Sequence, residues 1–134
     1  ELWSLVGANS NPLAAGYIQE MVKTIRGLGG IAITSTQGMQ DLFSLDNGKY
    51  GKGILDSSRI KIVMQMEEQE ARLIQNVLTL SEEEVRQITR FRRGEGLLCI
   101  GYNHVPIAFY ATQKEYDAIT TSPTDLLKRK EQEV

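Results

Sequence analysis

The sequence of 134 residues has the length of a single domain, and its 41% hydrophobic residues are enough to form a core. The 15 basic and 17 acidic side chains leave a formal charge of -2, which excludes a surface dominated by attraction to nucleic acid or anionic lipid. No apolar run approaches the roughly 20 residues that span a bilayer, and no signal peptide is evident, so we expect a soluble chain. The single cysteine, Cys99, cannot form an internal disulfide and is expected to be a buried thiol in a reducing cytosol.

The first elements predicted along the chain are a helix and a strand. Asn11 and the proline after it favour a helix start, and apolar residues at four-residue spacing continue the helix to Ile25, before two glycines end it. The short β-branched run IAITS, residues 31–35, predicts a buried strand.

The middle of the chain combines a glycine-rich segment with a second strand. A short helix is predicted within GMQDLFSL, residues 38–45. The three glycines of DNGKYGKG, residues 46–53, predict a mobile surface loop. The run RIKIVMQM, which begins at Arg59, is almost continuously apolar and predicts a largely buried strand.

The second half predicts a helical hairpin followed by a β-hairpin. One helix is expected over residues 67–78, and a capping box at Ser81 starts the next. The runs GLLCIG and VPIAFYA predict two paired strands, in which Pro106 favours an edge position. Ser122 and the proline after it resemble a further helix start. This order of elements predicts one α/β domain over residues 1–134, with some antiparallel strands.

Several kinds of catalytic and metal site are excluded by the sequence. The glycine-rich GKYGKG does not have the GxxxxGK[ST] spacing of a phosphate-binding loop, because the residues after Gly53 are Ile54 and Leu55 where that motif needs Lys followed by Ser or Thr. His104 is the only histidine, so no His/Cys metal site is expected, and a histidine in a turn is the simpler interpretation. The sequence also contains no GxSxG elbow that would present a nucleophilic serine.

Two polar segments could contact phosphates. Thr36 and Gln37 follow a predicted strand, at the edge of an α/β sheet where ligands bind, although they could equally cap a helix. Arginines also cluster in RQITRFRRGEG, residues 86–96. This cluster could hold phosphates of a nucleotide or DNA, but the three glutamates just upstream are expected to pair with part of it, and a solvated helix end is the alternative.

Four segments together resemble a known family. In order and spacing, ELWSL, GGIAITSTQ, SSRIKIVMQ and RFRRGEGLLCIG resemble the C-terminal part of the ATPase motor of conjugative type IV secretion systems. This is the VirB-type ATPase, the fourth VirB component, with relatives in conjugative transposons, in the FtsK/HerA-like P-loop superfamily. The resemblance implies a partial RecA-like P-loop ATPase domain that lacks the Walker A strand and carries a C-terminal antiparallel β-hairpin and helices.

The resemblance also implies roles for individual residues. Glu1 matches the glutamate of the Walker B motif, which polarises the attacking water. Gln37 matches the family's TQ motif, resembling a γ-phosphate sensor, and Thr36 lies beside it. Arg59 is the candidate for the charge-stabilising arginine that such ring motors supply across a subunit boundary.

The GEGL stretch of the family is matched around Glu95, and the basic segment before it holds two competitors for the role of the boundary arginine. These are Arg92 and Arg93, and this segment is where contact with a neighbouring subunit is expected. Together with Glu95 and Thr36, these arginines are expected to lie near the nucleotide or at a subunit interface. Because the chain begins at a glutamate that resembles the middle of a motif, we expect a piece of a longer protein.

The expected cofactors are ATP and Mg²⁺ in the full-length protein and none in this piece, which is expected to be inactive as an ATPase alone. The expected partners are other secretion-system subunits and further copies of the chain, as a hexamer in the full-length protein, with DNA as a possible partner. The expected location is cytoplasmic, peripheral at the inner face of the bacterial cell membrane. Without the Walker A strand, the predicted strands 31–35 and 59–66 would lack neighbours in the sheet. Either direct pairing of these two strands or association between chains is therefore expected.

Two alternatives stay open. A DNA-pumping coupling protein or FtsK/HerA-like translocase would need a DNA-facing basic loop, for which Lys49 and Lys52 in GKYGKG are the only candidates. A non-catalytic interaction module would use the charged segment LLKRKEQEV, residues 126–134, as its partner-binding helix.

Overall fold

A long helix opens the part of the chain that the computed structural model describes, residues 10–123. Helix α1 spans Pro12–Thr24, and the Asn11 side chain accepts a hydrogen bond from the backbone N–H of Leu13 at 2.9 Å, as the sequence predicts. A 3₁₀ turn over Ile25–Leu28 extends it to Gly29, whose φ of 75° ends the helix in the left-handed region.

The predicted buried strand at residues 31–35 is wrong. This segment forms no ladder with any of the residues described, and its two isoleucines, Ile31 and Ile33, are 85% and 92% exposed. A strand needs a hydrogen-bonded neighbour and an apolar surface to cover it, and neither is present beside this segment among residues 10–123. Of the two outcomes expected for this segment, direct pairing with the strand after Arg59 is therefore wrong, and association between chains stays a prediction.

The predicted glycine-rich loop is largely helical. Helix α2 spans Met39–Leu42, a 3₁₀ turn follows over Leu45–Gly48, and helix α3 spans Lys49–Ser57. Buried Ile54 of α3 packs with Ala15 of α1 and Leu42 of α2, and this small apolar cluster holds the three helices together. The mobile loop predicted over residues 46–53 is thus replaced by a turn and the start of a packed helix.

A three-stranded antiparallel sheet follows, in the order β1-β2-β3. Strand β1 spans Ile60–Met64, β2 spans Glu95–Ile100 and β3 spans Asn103–Ala108. The β-hairpin of β2 and β3 confirms the prediction, and Pro106 lies on an edge strand as expected. The largely buried position predicted for β1 is wrong, because among the described residues β1 pairs only with β2 and alternate side chains are exposed.

Two antiparallel helices cover one face of this sheet. Helix α4 spans Glu68–Leu78 and helix α5 spans Glu82–Arg90, with the predicted capping box at Ser81. Their apolar residues form the main core with one face of the sheet. Its buried members are Val63, Ala71, Ile74, Leu78, Leu80, Val85, Ile88, Phe91, Leu97 and Cys99. Met39 packs against both this core and the smaller cluster, so the two cores are continuous.

The other face of the sheet, here called the outer face, is apolar and exposed. The strand register places its side chains in cross-strand rows on one side. They are Ile60, Ile62, Met64, Leu98, Ile100, Val105 and Ile107. The exposed fraction of Ile60 is 62% and that of Val105 is 51%. An apolar surface of this kind is typical of a region that another element or chain covers.

A short helix ends the described part of the chain. Helix α6 spans Gln113–Ile119 and begins with a capping box at Thr112. The helix start predicted at Ser122 lies at the edge of the described residues, and the segment 126–134 lies outside them.

Candidate functional site

The Thr36-Gln37 segment forms a turn that leads into α2. The Thr36 hydroxyl donates to the carbonyl oxygen of Gly38 at 3.2 Å, and the backbone N–H of Met39 donates to Oε1 of Glu70 on α4 at 3.2 Å. These bonds anchor the turn to the main core, while the Gln37 side chain is exposed. Its amide is therefore accessible to a group that approaches from outside the described part of the chain.

Arg59 lies in the connection between α3 and β1. The backbone N–H of Ser58 bonds to the carbonyl oxygens of the last turn of α3, and Nζ of Lys61 donates to the Ser58 carbonyl at 2.6 Å. Hydrogen bonds thus hold both the N–H and the carbonyl of Ser58, the residue before Arg59. The Arg59 guanidinium itself is exposed. This geometry suits a side chain that reaches a partner beyond this unit.

Arg92, Arg93 and Glu95 share one tight turn between α5 and β2. The Arg92 N–H donates to Oε2 of Glu95 at 2.7 Å, and the Glu95 N–H donates to the Arg92 carbonyl at 2.9 Å. Gly94 adopts φ 87°, which favours glycine. The Glu95 carboxylate therefore stabilises its own turn, and both arginine side chains are exposed.

The structure brings together only some of the residues predicted for the site. Arg92, Arg93 and Glu95 are joined in one turn. Among residues 10–123, no hydrogen bond or ion pair connects them to Gln37 or Arg59. Glu1 lies outside the described residues. The functional roles of all these residues stay predictions.

The arginine cluster is partly neutralised, as the upstream glutamates predict. Nη2 of Arg86 lies 2.6 Å from Oε2 of Glu83. The hydrogen bond from Arg86, together with its charge, holds the pKa of Glu83 below its ordinary value. Arg86 is therefore engaged on its own helix, and any phosphate contact falls to the arginines that follow it.

The GKYGKG segment is not shaped as a loop for phosphate or DNA. A Cβ at Gly51 would collide with the backbone carbonyl of Leu42, so this glycine permits close packing of α3 against α2. Lys49 pairs with Asp46 at 3.6 Å, and Lys52 is exposed on a helix. The DNA-facing loop that the translocase alternative needs is therefore absent from this segment.

One polar pair was not predicted from the sequence. His104 lies in β3, not in a turn, and its Nδ1 lies 2.7 Å from Oε1 of Glu84, with 9% of the histidine side chain exposed. Burial alone would raise the pKa of Glu84, but hydrogen bonds from the backbone and hydroxyl of Ser81 and from His104 outweigh it, so this pKa is lowered. The capping-box spacing identifies Glu84, but nothing local links it to a strand 20 residues away.

The remaining chemistry of this region is limited. Cys99, opposite His104 in the ladder, is buried as expected, and burial with the nearby Glu84 charge raises the pKa of its thiol. Residues 10–123 contain no group of three metal-binding side chains. Within the same range, no helix is long and apolar enough to cross a membrane.

Comparison with known proteins identifies the family. A model of the TraG P-loop domain matches residues 1–128, and the chain therefore belongs to this family. The structure is similar to that of VirB4 of Thermoanaerobacter pseudethanolicus, with 29% sequence identity and a TM-score of 0.77. No curated protein matches the chain.

The VirB4 similarity covers 86% of this chain but only 30% of the VirB4 chain, so the sequence spans less than a third of that protein. The predicted family and fold class are confirmed: helices and an antiparallel three-stranded sheet form part of a VirB4-type P-loop ATPase fold.

Proposed function

We propose that the chain is the C-terminal portion of a conjugative transfer ATPase, which powers the transfer of DNA or protein by ATP hydrolysis in the full-length protein. The observation that carries this proposal is the match of the TraG P-loop domain model over residues 1–128. The TM-score of 0.77 against VirB4 also supports it, because it compares backbone geometry.

The residues present do not by themselves fit Mg²⁺ and ATP. The 134 residues contain no GxxxxGK[ST] motif, and the described residues 10–123 offer no cluster of metal-binding side chains. We therefore assign nucleotide binding to the longer protein. In this assignment the chain contributes side chains that approach the phosphates from one side.

Most of the predicted site residues have a proposed place in that longer protein. Gln37 contacts the γ-phosphate, for which its exposed amide on an anchored turn is suited. Arg59 acts across a subunit boundary, and Arg92 and Arg93 are the alternatives. Glu1 polarises the attacking water, as its match to the Walker B motif implies.

The exposed apolar outer face supports association. Ile60, Ile62 and Val105 would leave water if another part of the P-loop domain or another subunit covered them. We propose other secretion-system subunits and a hexamer of the full-length protein as partners, at the inner face of the bacterial cell membrane.

ATP hydrolysis by the full-length protein tests the role of Gln37. Gln37→Ala is expected to lower kcat on the order of 10²-fold, the usual cost of losing one preorganised contact to developing charge. Gln40→Ala is the matched control, because Gln40 is an exposed glutamine of the neighbouring helix α2. Equal activity of the two variants would contradict the assignment.

The 134-residue chain alone tests the assignment of nucleotide binding to the longer protein. Incubated with Mg²⁺ and ATP, it is expected to show no turnover above that of a Glu1→Ala/Gln37→Ala double variant. Turnover that the double variant lacks would show that this chain forms a complete site, and the proposal would fail.

A further inference from the structure

Glu70 on α4 makes a long-range contact with the segment that carries Gln37. Its Oε1 accepts a hydrogen bond from the backbone N–H of Met39 at 3.2 Å, although the two residues are 31 positions apart in the chain. Met39 is the first residue of α2 and comes two positions after Gln37. The contact therefore fixes the backbone directly behind the residue that we assign to the γ-phosphate.

This bond supplies an acceptor that α2 lacks. The first N–H groups of an α-helix have no acceptor within the helix, and α2 is only one turn long, Met39–Leu42. The nearby hydroxyl of Thr36 donates its hydrogen bond to the Gly38 carbonyl. A hydrogen bond from a backbone N–H to a carboxylate is charge-assisted and stronger than one between neutral groups. Glu70 thus holds the beginning of α2 from another helix.

No cation accounts for the position of Glu70. The residue is partly buried, and none of the ion pairs within residues 10–123 includes it. The acids beside it differ, because Glu68 pairs with Arg72 at 2.8 Å and Glu67 is exposed. A carboxylate that loses part of its hydration needs hydrogen bonds in exchange. The N–H of Met39 provides one.

Packing reinforces this joint. The side chain of Met39 packs against both the main core and the smaller cluster, so the turn that carries Gln37 lies where the two cores meet. Helix α4 follows β1 in the chain, and Arg59 directly precedes β1. Glu70 therefore ties the Gln37 turn to the β1-α4 unit at whose start Arg59 lies.

We propose that Glu70 is a positioning residue for ATP hydrolysis in the full-length protein. Its bond to the Met39 N–H holds the Gln37 turn where the glutamine amide meets the γ-phosphate, and this inference rests on the proposed role of Gln37. Glu70 touches no substrate in this assignment. A small displacement of a polar contact costs rate more than it costs binding, so the effect falls on kcat rather than on KM for ATP.

ATP hydrolysis by variants of the full-length protein tests the proposal. Glu70→Ala is expected to lower kcat about tenfold, with KM for ATP changed by less than about twofold. Glu70→Leu fills more of the space without an acceptor and should behave in the same way. Glu70→Gln keeps an acceptor oxygen and should restore most of the parental kcat. Glu67→Ala is the matched control, because Glu67 is exposed before the same helix and makes no capping bond.

A double variant separates positioning from a general loss of structure. Gln37→Ala/Glu70→Ala is expected to be no slower than Gln37→Ala alone, because without Gln37 there is no amide for Glu70 to place. A merely structural role would lower kcat further in the double variant. Far-UV circular dichroism checks that all variants fold.

Amide hydrogen exchange in the 134-residue chain tests the contact without ATP. Glu70→Ala should accelerate exchange of the Met39 N–H about tenfold or more, because its acceptor is lost. Exchange should stay at the parental rate in Glu70→Gln and Glu67→Ala. The N–H of Ile88 in the main core is the internal reference, and its unchanged exchange shows that the fold is intact.

Four results would overturn the inference on Glu70. They are parental exchange at Met39 in Glu70→Ala, parental kcat in both Glu70→Ala and Glu70→Leu while Gln37→Ala is slow, a Glu70→Gln variant as slow as Glu70→Ala, and a double variant slower than Gln37→Ala. Parental kcat in Gln37→Ala would overturn the proposed role of Gln37 and this inference with it.

Discussion

Alanine at Gly51 and alanine at Gly53 are expected to change stability in opposite directions, although both glycines lie in the same helix α3. At Gly51 the new methyl group would meet the backbone carbonyl of Leu42 and lie 2.9 Å from its Cγ. At Gly53 it would meet only the side-chain amide of Gln19, whose Cδ would be 2.8 Å away. A backbone carbonyl moves only if the helix moves, whereas a glutamine side chain can rotate.

The magnitudes follow from two opposing effects. Replacing glycine by alanine inside a helix is favourable by about 1 kcal/mol. Overpacking a close contact costs about 1–3 kcal/mol, and contact with a backbone places Gly51 toward the upper end. Gly51→Ala should therefore lower the free energy of unfolding by about 1–2 kcal/mol. Gly53→Ala should raise it by roughly 0.5–1 kcal/mol, because the methyl group displaces only Gln19.

Urea unfolding followed by far-UV circular dichroism measures these changes as shifts of the midpoint at constant m. Gly27→Ala is the control, because no atom lies within 4 Å of the position that its new methyl group would occupy and its φ is not positive. It should gain about 0.4–1 kcal/mol from the unfolded state alone. Equal effects at Gly51 and Gly53, as in a mobile loop, would refute the close packing of α3 against α2.

Two further predictions concern the main core. Ile88→Ala should cost about 2–5 kcal/mol in urea unfolding, because Ile88 is fully buried, whereas Leu13→Ala at an 83% exposed position should stay within about 0.5 kcal/mol. The lowered pKa of Glu84 stabilises the fold above the ordinary value of 4.5, and this contribution is lost as pH falls below it. The free energy of unfolding, measured from pH 7 to pH 3, should thus fall less steeply in Glu84→Gln than in the parent. The control variant Glu20→Gln should follow the parent. Identical curves for all three proteins would contradict the role of Glu84.

Elements with local signals were predictable from the sequence. The cap at Asn11 and the capping box at Ser81 act within one helical turn, and both are present where the sequence places them. The β-hairpin also forms between neighbouring segments, with Pro106 on the edge. Helix α6 was missed, although Thr112 and Glu115 have the spacing of a capping box.

Features that depend on distant neighbours were not predictable. Ile33 lies in a sequence typical of a buried strand, but it is exposed because no described strand pairs with its segment. From the sequence alone, Gly51 indicates a loop, although glycine serves close packing as well as flexibility. Only the structure shows its contact with Leu42. The bond between Glu84 and His104 likewise depends on how α5 is placed against the sheet.

In the candidate site, too, local signals were predictable and tertiary contacts were not. Spacing and resemblance identify Gln37 and Arg59, but whether such side chains meet depends on the tertiary fold, and the described residues do not join them. Glu95 was predicted as nucleotide-proximal or interfacial. Its carboxylate bonds to the backbone of its own turn, a contact that only the structure reveals.

The coding sequence upstream of Glu1 tests the central claim most directly. A P-loop ATPase that contains this chain is predicted to have an apolar strand ending in aspartate immediately before Glu1 and a GxxxxGK[ST] motif further upstream. An upstream sequence that lacks both features would contradict the proposal that this chain is part of a conjugative transfer ATPase.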